Sequence, residues 1–121
     1  MKKTFLLTII TAIFGSCSNK QVVLPKYTEI EHKVYSIPAK RQINVRVYIA
    51  ESGYSKDQIK ELTDSLYMAA KYEKTQYGAP THVFVYVYAK QGDFEQSSGS
   101  WISTRQKIQN DEQETIIKAA I

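Results

Sequence analysis

The sequence predicts an α+β domain: a two-layer sandwich in β-β-α-β-β-α order, with a mainly antiparallel sheet and its helices on one face. Three observations carry this. Ile43 to Ala50 and His82 to Lys90 alternate with the period of two that a half-buried strand requires. Between them, apolar residues recur every three or four positions, the period of a helix lying on a sheet. Strand runs with helices interposed bury their apolar faces most simply as a sheet covered on one side.

The elements follow in chain order. Ile30 to Ile37 reads as an edge strand ended by Pro38, although its alternation is poor. In Ile43 to Ala50, Ile43, Val45, Val47 and Ile49 point one way, and Asn44, Arg46 and Tyr48 the other. Glu51, Ser52 and Gly53 break that strand. Ser55 and Gln58 then have the spacing of a capping box, which predicts a helix from there to about Tyr77, stopped by Gly78 and Pro80. Its apolar stripe is Ile59, Leu62, Leu66 and Ala69 or Ala70.

In the second clear strand Val83, Val85, Val87 and Ala89 share one face, and Phe84, Tyr86 and Tyr88 the other. A third strand is expected over Trp101 to Ile108, with Trp101, Ser103 and Arg105 on one side. Asn110 has the chemistry to cap a last helix through Ala120, using Ile116, Ile117 and Ala120.

The N-terminus has a different composition. Lys2 and Lys3 precede an uncharged apolar run, Phe5 to Phe14, and the small residues Gly15 and Ser16 lead to Cys17, the sole cysteine. The run is short for a bilayer span, which needs about 20 apolar residues, and fits the apolar core of a secretory signal. Phe14-Gly15-Ser16-Cys17 resembles the lipobox of bacterial lipoproteins, departing from it at Phe14, where that family usually has an aliphatic residue. The resemblance covers about the first 17 residues. It implies a signal peptide over 1–16, cleavage before Cys17, diacylglycerol on its thiol and acylation of the new amine. The general layout resembles small envelope lipoproteins of Gram-negative bacteria, a resemblance that names no activity. Residues 17–28 then read as the lipidated cysteine and a polar tether, and 29–121 as a single domain. The absence of acidic residues just after Cys17 points to a periplasm-facing anchor at the outer membrane.

Charge narrows the partners. Taking Lys2 and Lys3 from the 16 basic residues leaves 14 against 12 acidic ones, a net charge near +2. That is too weak a field to imply nucleic acid. The expected partners are therefore the membrane, through Cys17, and a protein or envelope component, with a second copy of the chain as a further candidate.

Helices packed on the Val/Ile faces leave the opposite sheet face to be accounted for. It should gather Arg46, Tyr48, Phe84, Tyr86, Tyr88, Trp101 and Arg105. Aromatic rings with flanking guanidiniums can stack flat ligands, although Tyr and Phe also stabilise strands on their own account. His32 and His82 lie in no metal-ligand spacing, and His82 reads as a structural histidine. Lys40 and Arg41 read as solvated loop charge. Asp93 and Glu95 flank Phe94 beside Gly92, where Asp93 is more simply a turn former. No catalytic triad order, phosphate loop or zinc motif occurs, so neither catalytic residues, metal nor cofactor are expected. The leading expectation is a non-enzymatic envelope lipoprotein that binds through its sheet face or the Gly92–Trp101 loop. The alternative is a small periplasmic inhibitor or immunity-type protein that blocks a hydrolase.

Overall fold

A computed structural model describes residues 23–89 and 99–119. The predicted leader, Cys17, and the Asp93–Glu95 segment lie outside the described residues. The elements are β1 (Tyr27–Ile37), β2 (Lys40–Ile49), α1 (Lys56–Lys71), β3 (His82–Tyr88), β4 (Ser103–Ile108), β5 (Asp111–Glu112) and β6 (Ile116–Ile117). They form a mixed sheet in the order β1-β2-β3-β4-β5, with β6 also on β4, and one helix among the described residues. The fold is α+β.

The central pair, β2 and β3, is parallel, and the other pairings are antiparallel. A helix placed between two neighbouring strands returns the chain to its starting end, so the second strand must run with the first. The core lies between the sheet and α1. Ile43, Val45, Val47 and Ile49 of β2 and Val83, Val85 and Val87 of β3 are buried against Ile59, Leu62, Tyr67 and Ala70. The period-two and period-3.6 patterns thus meet face to face, with Leu66 half-buried beside them.

The capping box forms as the spacing requires. The Gln58 N–H donates to Ser55 Oγ at 3.2 Å, and the Ser55 N–H to Gln58 Oε1 at 2.9 Å. The helix, however, ends at Lys71 rather than near Tyr77. Thr75 and Gly78 exchange two backbone hydrogen bonds, and the Thr75 hydroxyl also donates to the Gly78 carbonyl. This local turn competes successfully with further helix, and Gly78 supplies the positive φ of 118° that it needs.

Two ends of the domain also depart from expectation. β1 begins at Tyr27, inside the stretch assigned to the tether, and Val23 accepts a hydrogen bond from the Gln58 side chain. The expected terminal helix does not form among the described residues. Asn110 instead follows Gln109, at φ 59°, in a two-residue hairpin loop that joins β4 to β5. The segment then runs back along β4 and pairs again through β6.

Its side chains show why. The Tyr67 hydroxyl donates to Glu112 at 2.7 Å, Lys71 pairs with the same carboxylate, and the Thr115 hydroxyl donates to Asp64. Arg105 donates to Asp64 at 3.2 Å and to the Gln113 carbonyl at 3.1 Å. An extended chain satisfies all of these partners on α1 and β4. Burial acts to raise the Asp64 pKa, but bonds from Lys60 and Thr115 and the charges of Lys60 and Arg105 bring it below the usual aspartate value. Bonds from Lys71 and Tyr67 lower the Glu112 pKa likewise.

Candidate functional site

The sheet face turned away from α1 is built by strand register. Gln42, Asn44, Arg46 and Tyr48 of β2 lie beside His82, Phe84, Tyr86 and Tyr88 of β3. On β1 their neighbours are Tyr35, Lys33, Glu31 and Thr28, and on β4 Gln106 and Thr104 flank Phe84 and Tyr86. The predicted face therefore exists for Arg46, Tyr48, Phe84, Tyr86 and Tyr88. Trp101 precedes β4, yet its ring centroid lies 6.3 Å from that of Tyr86, so it joins them.

Arg105 does not. It stands opposite Val85 on the helix-facing side, paired with Asp64 and lying 4.3 Å over the Tyr67 ring. Counting alternation from Trp101 put it on the wrong face, because regular pairing starts only at Ser103. Ser103 faces α1 as well, where its hydroxyl lies 2.7 Å from that of Thr63. Thr63 gives its single proton to the Ile59 carbonyl at 2.8 Å, so Ser103 must be the donor of the pair.

The face divides into two halves of different character. At the Tyr88 end the aromatic groups hold one another. Arg46 lies 4.5 Å over the Tyr86 ring, donates to the Tyr88 hydroxyl at 2.7 Å and faces Glu31 at 3.6 Å. Lys118 lies 4.0 Å over the Trp101 ring. The result is a row of cation, ring, ring and cation that largely completes itself. Tyr88 is wholly buried, and burial pushes its phenol up despite Arg46, while Tyr86 and Trp101 are half-buried. At this end the aromatic face is thus largely closed.

At the other end the face is hollow. Tyr35, Ser36, Ile37, Lys40, Gln42 and Asn44 line a cavity of about 380 Å³. A second, of about 240 Å³, is lined by Gln42, Asn44, Arg46, Phe84 and Tyr86. Both share Gln42 and Asn44, so they are adjacent along β2 and together make the trough. The Gln42 amide donates to Asn44 Oδ1 at 2.9 Å. That leaves the Gln42 carbonyl and the Asn44 nitrogen without protein partners among the described residues. Tyr35 is 50% exposed in the trough wall.

Charge at this end is positive. Lys40 lines the trough, Lys33 stands beside Asn44, and neither has an acidic partner among the described residues. His82, next to Gln42, bonds the Thr81 hydroxyl at 2.8 Å. Its pKa is held below the usual histidine value by burial first, then by Lys40 and Lys107, so it is neutral at pH 7. Arg41, expected as solvated charge, instead donates to the Ala79 carbonyl at 2.7 Å and the Pro38 carbonyl at 2.6 Å, fastening the strand ends.

A smaller cavity of about 170 Å³ lies on the opposite side of the sheet, between β1 and α1, over Val45. It is crossed by His32, which bonds Glu73 at 2.9 Å and faces Glu29 at 3.5 Å. Among the described residues no group of three or more His, Cys, Asp or Glu side chains is placed to hold a metal ion. None of the described helices is long and apolar enough to cross a membrane.

Sequence reasoning missed Tyr35, Lys40, Gln42 and Asn44 as members of the site. The available signal was the parity of Asn44 with Arg46 and Tyr48, together with an asparagine inside a strand, where it is usually depleted. No protein-family model, curated protein or solved structure matches the chain.

Proposed function

We propose that this chain is a membrane-anchored cell-envelope lipoprotein acting as a non-enzymatic binding module, with the trough along β2 as its binding site. In this reading the domain is a two-layer α+β sandwich: α1 covers one face, and the other is left for a ligand or partner. The observation that carries the reading is the pair of incompletely bonded amides, Gln42 and Asn44, in a concavity flanked by Tyr35, Phe84 and Tyr86. A few placed polar groups between aromatic walls are what a recognition site needs. The anchor would be lipid on Cys17, whose acyl chains contribute about 0.8 kcal/mol per buried methylene. The periplasmic face of the outer membrane is its proposed address. An anchor there would leave the trough accessible, because the tether joins the start of β1 whereas Tyr35 to Ile37 lie at its far end.

Two measurements test the two halves of this reading. Cys17→Ala should abolish incorporation of a labelled fatty acid and release the protein from membranes; continued labelling would refute the anchor. A photo-crosslinking residue at Asn44 in intact cells should yield a discrete adduct, whereas one at Ser65, exposed on the far side of α1, should not. Equal adducts at both positions, or none at Asn44, would refute the binding site.

A further inference from the structure

The trough has enough chemical detail to name a ligand class, and the inference rests on its reading as a binding site. Its walls are the rings of Tyr35 and Phe84, its floor the side-chain amides of Gln42 and Asn44, and its lining cation Lys40, with Lys33 at its border, cross-strand from Asn44. An apolar peptide anchor would need a desolvated apolar pocket. Here apolar surface from Tyr35 and Ile37 is interleaved with two side-chain amides, whose unused groups are one carbonyl and one amide nitrogen, able to accept and to donate. A pyranose ring has the complementary pattern, with C–H faces for aromatic walls and a rim of hydroxyls for amides.

The aromatic groups also argue against a stacked base. His82 and Phe84 are tilted by 33° with centroids 6.4 Å apart, and Tyr86 and Trp101 by 49°, so no parallel slot exists between them. The charge then selects among saccharides. Lys40 lies two positions before Gln42 on β2 and Lys33 cross-strand from Asn44, and the acidic residue next to them on this face among the described residues, Glu31, already faces Arg46. Asn44 lies four positions beyond Lys40 along the strand, roughly 13 Å at the usual rise. That length suits more than one sugar unit, with carboxylates at intervals.

We infer that the trough binds an acidic oligosaccharide, with sugar rings against Tyr35 and Phe84, hydroxyls on Gln42 and Asn44, and carboxylates at Lys33 and Lys40.

The test follows the side-chain amide signals of Gln42 and Asn44 by NMR in the full chain, held in detergent micelles. The probes are trigalacturonate, its neutral trigalactose counterpart and triglutamate. Trigalacturonate should shift both amides at millimolar concentration, with the neutral sugar at least several-fold weaker. Lys40→Gln and Lys33→Gln should each weaken the acidic sugar by about fivefold, the order of one partly screened ion pair, with melting unchanged. Asn44→Ala should weaken both sugars alike. Absence of shifts with trigalacturonate overturns the inference, as does an equal response to the neutral sugar or to triglutamate. If these fail while the Asn44 crosslink still captures a partner, the ligand class is wrong and the binding site stands. If the crosslink fails too, both are wrong.

Discussion

On the β4 side of α1, helix and sheet are tied by side chains that complete one another's bonds: Thr63 with Ser103, Asp64 with Arg105 and Thr115, and Tyr67 with Glu112. On the β1 side a cleft separates them, crossed among the described residues by the His32–Glu73 bond. The helix sits mainly over β3 and β4, and large apolar side chains stay exposed along β1: Tyr27, Val34, Tyr35 and Ile37. One helix cannot cover a sheet this wide. The C-terminal strands, short as they are, fix α1 to one half of the sheet and leave β1 as a ledge supported by β2.

The largest expected effect tests whether that division is energetic as well as geometric. Leu62→Ala, in the covered half, should cost about 2–5 kcal/mol in urea unfolding, because a buried leucine leaves a cavity. Val34→Ala on the ledge should cost under about 0.5 kcal/mol, as for other exposed sites. Similar losses at both positions would mean that β1 is covered in solution.

A smaller effect is expected at the buried hydroxyl pair. Thr63→Val should cost about 1–3 kcal/mol, because Ser103 keeps its hydroxyl but loses the acceptor. The double variant Thr63→Val with Ser103→Ala should recover most of that loss. A double-mutant cycle with no coupling would remove this bond from the list of ties between helix and sheet.

The smallest effect depends on pH. The folded-state pKa values of Asp64 and Glu112 lie below their ordinary values, so the unfolded chain takes up protons first as pH falls. Their stabilisation is complete above the usual carboxylate range and is lost as pH falls through the lowered folded values. Asp64→Asn should therefore flatten the acid limb of the stability curve and lower stability at pH 7 by about 1 kcal/mol. An unchanged acid limb would show that the β5–β6 segment is held by its backbone pairing instead.

Much of the covered half was legible in the sequence, because its rules are local. The alternation of Ile43 to Ile49 and Val83 to Val87, and the Ser55–Gln58 box, each need only a few neighbouring residues. The C-terminal segment was misread because Ile116 and Ile117 mimic a helical stripe, while the partners that draw Glu112 and Thr115 into an extended chain lie on α1, 45 and 51 residues away. The trough was hidden for a related reason. Its wall on β1 belongs to a strand that mixes polar and apolar residues on both faces, Lys33 with Tyr35 on one and His32 with Val34 on the other, and whose register is further shifted by a bulge between Glu29 and Glu31.

That bulge bears on how copies of the chain tolerate crowding. A long edge with exposed apolar side chains is a template on which another chain can add, and a sheet that extends by addition leads to fibrous aggregates. An extra residue twists the strand and interrupts the row of outward N–H and C=O groups after only a few residues. The bulge at Ile30 therefore confines the regular part of this edge, among the described residues, to Glu31–Ile37.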